Sequence, residues 1–274
     1  MDTKHKNITI LSSKLLAKLS ESGKNWFRVS QVYGLFPELS KKSVRQQLIT
    51  MTDKGVLMRI QEELYYMIPY EQNSQTFMPD WHLLAEPLAG GEYYIGYYSA
   101  LQIHSLITQP SLKEQIVING RIKPSVKIIK GVKFQFIYHN PKHFFGYKKT
   151  WIDSFNKVMC SDLEKTIIDC LYKPDYAGGI VEIAKAIYLS KDKIKFDKLM
   201  DYVTTFDSQS VIKRLGYLLE LLSISTPIIE ELQKLRTSSI TVLDTEVPKQ
   251  GKILSRWSIQ QNVDIETIKR SITT

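Results

Sequence analysis

The sequence predicts an α+β fold in two parts: three helices and a hairpin, followed by a mixed α/β domain with a helical tail. Three observations predict it. Apolar residues recur at helical spacing up to Lys54 and then give way to two strand-like runs before residue 70. Strand-like runs concentrate again between residues 115 and 159. From Ser161 to Leu235 the apolar period returns to that of amphipathic helices. The chain of 274 residues is 43% hydrophobic and 24% charged, with 13 Gly and 10 Pro. That composition fits a packed core and excludes a disordered or low-complexity chain.

The first helix is expected over Ile8–Leu19, with Leu11, Leu15, Leu16 and Leu19 on its apolar face and Ser22-Gly23-Lys24-Asn25 as its stop. A short helix fits Ser30–Leu35. Ser40 can cap a third helix running to Lys54, with Gly55 ending it. On that helix Val44, Leu48 and Met51 share an inward face. Lys41, Lys42, Ser43, Arg45, Gln46 and Thr50 lie outward or on the flank. Arg and Gln can read guanine and adenine edges with paired hydrogen bonds, while Lys and Ser suit phosphates. Strands fit Val56–Ile60, which carries Arg59, and Leu64–Ile68, joined by the acidic tip Gln61-Glu62-Glu63. Three helices followed by a hairpin is the layout of a winged helix-turn-helix, whose third helix enters the major groove of double-stranded DNA.

The polar run Gln72–Thr76 reads as a linker. The expected domains are therefore 1–70, a linker over 71–92, and 93–274, with the boundary near residue 75. In the second domain Ser99 is a candidate cap for a helix to Leu106. Strands fit Gln115–Ile118, Ser125–Ile128, Val132–Tyr138 and part of 144–159. A three-residue loop Ile129-Lys130-Gly131 would set Ile128 against Val132 and Lys127 against Lys133. Ser161 and Glu164 form a capping-box pattern opening the next helix, with Leu163, Ile167, Ile168 and Leu171 on its buried face. Helices follow over Val181–Leu189, Phe196–Phe206, Gln209–Leu222 and Ile228–Leu235. Late strands fit Ile240–Leu243 and Ile253–Trp257, before a terminal helix over Asp264–Ile272.

The net charge of +9 is unevenly placed. Residues 1–70 carry 11 Lys+Arg against 6 acids, residues 71–111 carry no Lys or Arg and 4 acids, and residues 112–150 carry 9 against Glu114 alone. Residues 151–274 balance at 17 of each sign. Clustering of this kind builds local positive potential. The second block, with Arg121, Lys123, Lys127, Lys130, Lys133, Lys148 and Lys149 interleaved with aromatic residues, is a second candidate anion-binding surface. Its alternative is an edge hairpin guarded by lysines.

Catalytic motifs are absent from the sequence. It has no phosphate-cradling glycine loop and no G-x-S-x-G. His139 and His143 are four apart but have Pro141 between them and no ligand-type neighbour, so no metal site is expected. An acidic-x-Lys pair, as in many metal-dependent nucleases, occurs only as Asp2-Thr3-Lys4. No enzyme activity and no cofactor are expected. No apolar run approaches the length of a spanning helix, about 18 residues, and no signal-type core follows Met1. Cys160 and Cys170 form no C-x-x-C and no disulfide framework. A cytoplasmic location is expected, with no membrane partner.

Three stretches together resemble the AbiEi family, the antitoxins and transcriptional regulators of type IV (abortive-infection) toxin–antitoxin systems. They are Ser43–Leu48 with Lys54–Arg59, Tyr93–Leu101, and the block Ser161–Leu171 followed by Pro174, Gly178-Gly179-Ile180 and Glu182. The resemblance spans residues 8 to about 190. The chain departs from the family's pattern at the acidic wing tip and at Lys165, where Arg is common. The resemblance implies an N-terminal winged helix-turn-helix and a C-terminal antitoxin domain. It implies an autorepressor that binds inverted repeats in its operon promoter, with two copies on the DNA, and an antitoxin that counters a nucleotidyltransferase toxin without a stable complex. Ser99, Asp162, Glu164, Thr166, Asp169, Gly178 and Gly179 are its motif positions, and a capped, buried helix is the favoured account of Asp162, Glu164, Thr166 and Asp169. The alternatives are a ligand-responsive winged-helix regulator without a toxin and, more distantly, a nuclease.

Overall fold

The computed structural model describes residues 10–272 except Ser22, Thr108, Pro110 and Leu112. The helix start expected at Ile8 and the Asp2-Thr3-Lys4 run lie outside the described residues. The chain divides into two compact units, Met1–Leu88 and Ala89–Thr274, and the fold is α+β.

In the first unit α1 (Ile10–Glu21) buries Leu15 and Leu19. Strand β1 (Trp26–Arg28) leads directly into α2 (Val29–Leu35). β1 is absent from the sequence reading, because three residues are too few to show alternation. Ser40 accepts the Ser43 amide at 3.1 Å and caps α3 (Lys41–Asp53), whose Val44, Leu48 and Met51 are buried. Gly55 ends it with φ +71°, a conformation glycine adopts without a Cβ clash. Strands β2 (Leu57–Gln61) and β3 (Leu64–Met67) form the expected hairpin, and β1 adds to β3 to give the antiparallel order β1-β3-β2. Phe27, Val32, Val44, Leu48 and Tyr65 meet in one core.

Residues 71–88 belong to this unit and not to a linker. The Phe77 ring lies 6.0 Å from that of Tyr66, Lys24 pairs with Glu86 at 2.6 Å, and the Arg28 guanidinium donates to the Pro87 carbonyl at 2.8 Å. A 3₁₀ turn at Trp81–Leu84, capped by Asp80, continues into α4 (Ala85–Ala89). The boundary expected near residue 75 thus falls between Leu88 and Ala89. The physical reason is that Phe77, Glu86 and the Pro87 carbonyl each find a partner in the preceding elements, which the polar start of the segment does not reveal.

The second unit opens with β4 (Tyr93–Ile95), α5 (Tyr97–Ile103), β5 (Lys113–Ile118), β6 (Val126–Ile129), β7 (Val132–Tyr138), β8 (Tyr147–Trp151) and β9 (Lys157–Ser161). These strands form one sheet in the order β6-β7-β5-β4-β9-β8, parallel at β5/β7 and β4/β9 and antiparallel elsewhere. Helices α6 (Leu163–Tyr172), α7 (Gly179–Ser190), α8 (Phe196–Phe206), α9 (Gln209–Leu221) and α10 (Ile228–Leu235) share the largest apolar core. A small sheet of β10 (Thr241–Val242), β11 (Lys252–Leu254) and β12 (Ile259–Gln261) follows, then α11 (Ile265–Ser271).

Three local expectations are corrected. Gly96, not Ser99, stands at the cap of α5; the buried Ser99 hydroxyl instead accepts the Gln115 amide at 2.9 Å and donates to the Lys113 carbonyl at 3.1 Å. Asp162, not Ser161, caps α6 and accepts the Lys165 amide at 3.0 Å, because Ser161 completes β9. The β6–β7 turn has two residues, Lys130 and Gly131, both at positive φ as a primed turn requires. Ile129 therefore faces Val132, and Lys127 faces Phe134. That one-residue slip puts Lys127 and Lys133 on opposite faces and leaves Ile128 73% exposed.

Candidate nucleic-acid interface and a buried ionic cluster

In the first unit, burial of Val44, Leu48 and Met51 turns the opposite face of α3 to solvent. Lys41, Lys42, Ser43, Arg45 and Gln46 are exposed, and Ile49 is 49% exposed among them. Two of the expected contact residues are partly committed already. Ser43 shares a hydroxyl bond of 2.8 Å with Ser40, and the Thr50 hydroxyl returns to the Gln46 carbonyl at 3.0 Å. The Arg45 guanidinium donates to the Glu63 carboxylate at 2.8 Å. Glu63 reaches it from the β2–β3 turn, where its own φ is +58°. That hydrogen bond, with attraction from Tyr33 and Glu63, raises the Arg45 pKa further. Arg59 is exposed on β2. The acidic tip is thus a partner of the central arginine.

The second basic block does not form one surface. Lys127, Lys130 and Lys133 lie at the β6–β7 edge, with Arg121 and Lys123 in the loop before it, whereas Lys148 and Lys149 lie on β8 at the opposite edge. Five strand spacings separate the two edges, about 24 Å at the usual interval. Sequence proximity across a turn concealed this, because β8 pairs with β9 and not with β7.

α6 is buried on nearly every side, and its polar residues organise two clusters. In the first, the fully buried Lys165 ammonium donates to Asp169 one turn on and to the Tyr94 hydroxyl, the latter at 3.0 Å. It stands 5.2 Å from the ring centres of Tyr94, Phe145 and Phe206. Tyr94 donates to the second Asp169 oxygen at 3.0 Å. His139 lies between two tyrosines, with Nδ1 3.1 Å from Tyr94 Oη and Nε2 2.7 Å from Tyr97 Oη. The His143 carbonyl, 3.4 Å from Nδ1, can only accept, so the proton belongs on Nδ1 and Tyr97 donates to Nε2. Burial pushes His139 down to about 4 against the pull of Asp169, and burial also lowers Lys165. Burial and the nearby Asp169 raise both Tyr94 and Tyr97 well above the usual phenol range. The result is one ion pair wrapped by neutral hydrogen-bonding rings.

The second cluster joins α6 to α8. Lys198 donates to Asp162 at 2.9 Å and to Glu164 at 2.8 Å, Tyr202 donates to Asp162 at 3.0 Å, and Glu164 accepts the Lys195 amide at 3.0 Å. Burial works against the Glu164 charge, but the Lys198 and Lys195 bonds outweigh it and hold the carboxyl below its usual value. Thr166 donates to the Asp162 carbonyl at 2.7 Å. Gly178 and Gly179 both hold positive φ, and the Ile180 amide behind them donates to Asp244 at 2.7 Å. Every motif position of the resemblance thus has a packing or hydrogen-bonding role. Tyr94, Tyr97, His139, Lys198 and Tyr202 carry no mark in the sequence that assigns them to these clusters. Only the four-residue spacing of Lys165 and Asp169 was legible.

Among the described residues no group of three or more His, Cys, Asp or Glu is arranged to hold a metal ion, and no helix is long and apolar enough to cross a membrane. A surface cavity of about 310 Å³ is lined by Tyr98, Lys113, Asp175, Tyr176, Gly178 and Glu246, among others.

No family model matches the chain, and no curated protein matches it. Among solved structures it is similar to the RV2827C protein from Mycobacterium tuberculosis, with a TM-score of 0.69 and 13% sequence identity over 99% of this chain and 97% of that one. At that identity the likeness is one of fold alone.

Proposed function

We propose that this protein is a DNA-binding transcriptional regulator whose first unit is a winged helix-turn-helix. On its resemblance to the AbiEi family, we read it as an autorepressor and type IV antitoxin. The observation that carries the DNA-binding reading is the outward face of α3. There Lys41, Lys42, Arg45 and Gln46 are exposed together with the apolar Ile49, beside the β2–β3 hairpin. Such a face offers base-edge donors, phosphate partners and a methyl contact for thymine within one groove-sized element. Two copies would occupy an inverted repeat, one recognition helix per half-site. The antitoxin part rests on the motif stretches, and the partner is a nucleotidyltransferase toxin that is countered without a stable complex.

The test is a gel-shift titration on the chain's own promoter. Arg45→Ala is expected to weaken binding about 10- to 100-fold and to relax sequence preference, as loss of one paired base contact does. Glu63→Gln, which releases Arg45, is expected to bind at least as tightly as the parent. Unchanged affinity in Arg45→Ala overturns the assignment of α3. The adjacent reading frame tests the antitoxin reading: a nucleotidyltransferase encoded there, with growth rescue on co-expression, is the supporting result. A ligand-responsive regulator is the second reading, and the Tyr98–Tyr176 cavity is the observation that favours it. Failure of rescue together with promoter binding altered by a small molecule would select it.

A further inference from the structure

The β8–β9 hairpin ends in a feature that the recognition helix does not explain. Asp153 accepts the backbone amides of Phe155 and Asn156, each at 2.7 Å, and the Asn156 side-chain amide at 2.8 Å. The Ile152 amide closes the loop onto the Asn156 carbonyl at 3.0 Å. These four bonds fix the tip, and the residue they hold outward is Phe155, 89% exposed. Trp151, the last residue of edge strand β8, is 57% exposed. Lys157 lies directly across the strand pair from Trp151, with its ammonium 4.0 Å from the indole centre. Lys149 lies two residues back on the same face as Trp151, and Lys148 is exposed on the other. The acid in the tip, Asp153, is occupied by the bonds that shape the loop, and they hold its pKa below the usual carboxylate range.

Burial cannot account for a phenyl ring that ordered hydrogen bonds hold in water. The chemistry of the patch is two flat π faces with two ammonium groups, those of Lys149 and Lys157, beside them. Its complement is a polyanion that carries accessible aromatic faces. Duplex DNA stacks its bases away from such rings, whereas unpaired nucleotides present both base faces and phosphates. We infer that the β8–β9 tip is a stacking site for single-stranded nucleic acid, with Trp151 and Phe155 against bases and Lys149 and Lys157 against phosphates. This site is separate from α3 and does not depend on the reading of α3.

The experiment is a fluorescence-anisotropy titration of the full chain with a labelled ten-nucleotide single strand of mixed sequence, as DNA and as RNA. A duplex of the same sequence, polyglutamate and anionic phosphatidylserine vesicles are the comparison ligands. The single strand is expected to bind most tightly and to quench tryptophan emission. Trp151→Ala/Phe155→Ala is expected to weaken single-strand binding about 10-fold or more, since each base–aromatic stack contributes ~1–3 kcal/mol, while duplex promoter binding is kept. Both positions are exposed, and an unchanged far-UV spectrum and melting midpoint confirm that the variant keeps its fold. Lys149→Gln/Lys157→Gln is expected to flatten the salt dependence of single-strand binding by about 1.4 in log–log slope. Equal single-strand affinity in parent and Trp151→Ala/Phe155→Ala overturns the proposal. So does a loss in Trp151→Ala/Phe155→Ala that is larger for duplex, polyglutamate or vesicles than for the single strand.

Discussion

A lysine ammonium without solvent contact is stable only where a counter-ion matches its charge and acceptors fill its donors. Lys165 meets both conditions through Asp169 and Tyr94, with three aromatic rings around it. Removing one partner strands the other: Lys165→Met is expected to cost ~3–5 kcal/mol, the range for breaking a buried pair. Lys165→Met/Asp169→Leu should recover part of that loss, and urea unfolding midpoints of the three proteins measure both effects. His139, held down to about 4 by burial, adds a pH dependence. Its folded pKa lies below the unfolded value of about 6.5, so its share of stability is full above that value and is lost as pH falls toward 4. A shift of this size corresponds to roughly 3 kcal/mol, at ~1.4 kcal/mol per unit. His104 and His143 are shifted in the same direction, also chiefly by burial, and steepen the fall. Melting midpoints between pH 7 and 4.5 should drop, and His139→Gln should flatten that drop.

At the scale of elements, the close approach of helix α9 to Trp257 depends on Gly216. A Cβ placed there would stand 2.0 Å from the indole ring. That contact is with a buried aromatic ring, which has little room to move. Gly216→Ala is therefore expected to destabilise by about 1–3 kcal/mol, the usual cost of overpacking, despite alanine's better helix propensity. Thermal unfolding measures the net sign. The β6–β7 hairpin carries the opposite lesson about charge. With Lys127 and Lys133 on opposite faces, replacing both cannot remove a shared anion site, whereas Lys149 and Lys157 share one face with the exposed Trp151.

At the scale of the whole molecule, each unit carries its own core. The first centres on Phe27, Val44 and Leu48, and the second on the α6–α9 helices. A fragment of residues 1–88 is expected to give a cooperative thermal transition on its own, and a fragment of 1–70, without the contacts of Phe77, Glu86 and Pro87, to melt lower. Circular dichroism of the two fragments decides this.

The amino-acid sequence by itself determines whatever a single element satisfies within its own length. The α3 face, the Ser40 cap, the α8 and α10 spans and the uneven charge all follow from local periodicity, capping chemistry and counting. The same holds for the buried character of Ile167, Ile168 and Leu171 on α6. Tertiary structure decided whatever depends on non-local pairing. It added β1 to β3, set the β6–β7 register, sent two halves of one basic block to opposite sheet edges, and gathered Tyr94, His139, Lys165 and Asp169 into one cluster. The physical reason is range. Helix faces and caps are set by neighbours within about four residues, while strand partners and buried charge partners are chosen by contacts that close only when distant segments pack.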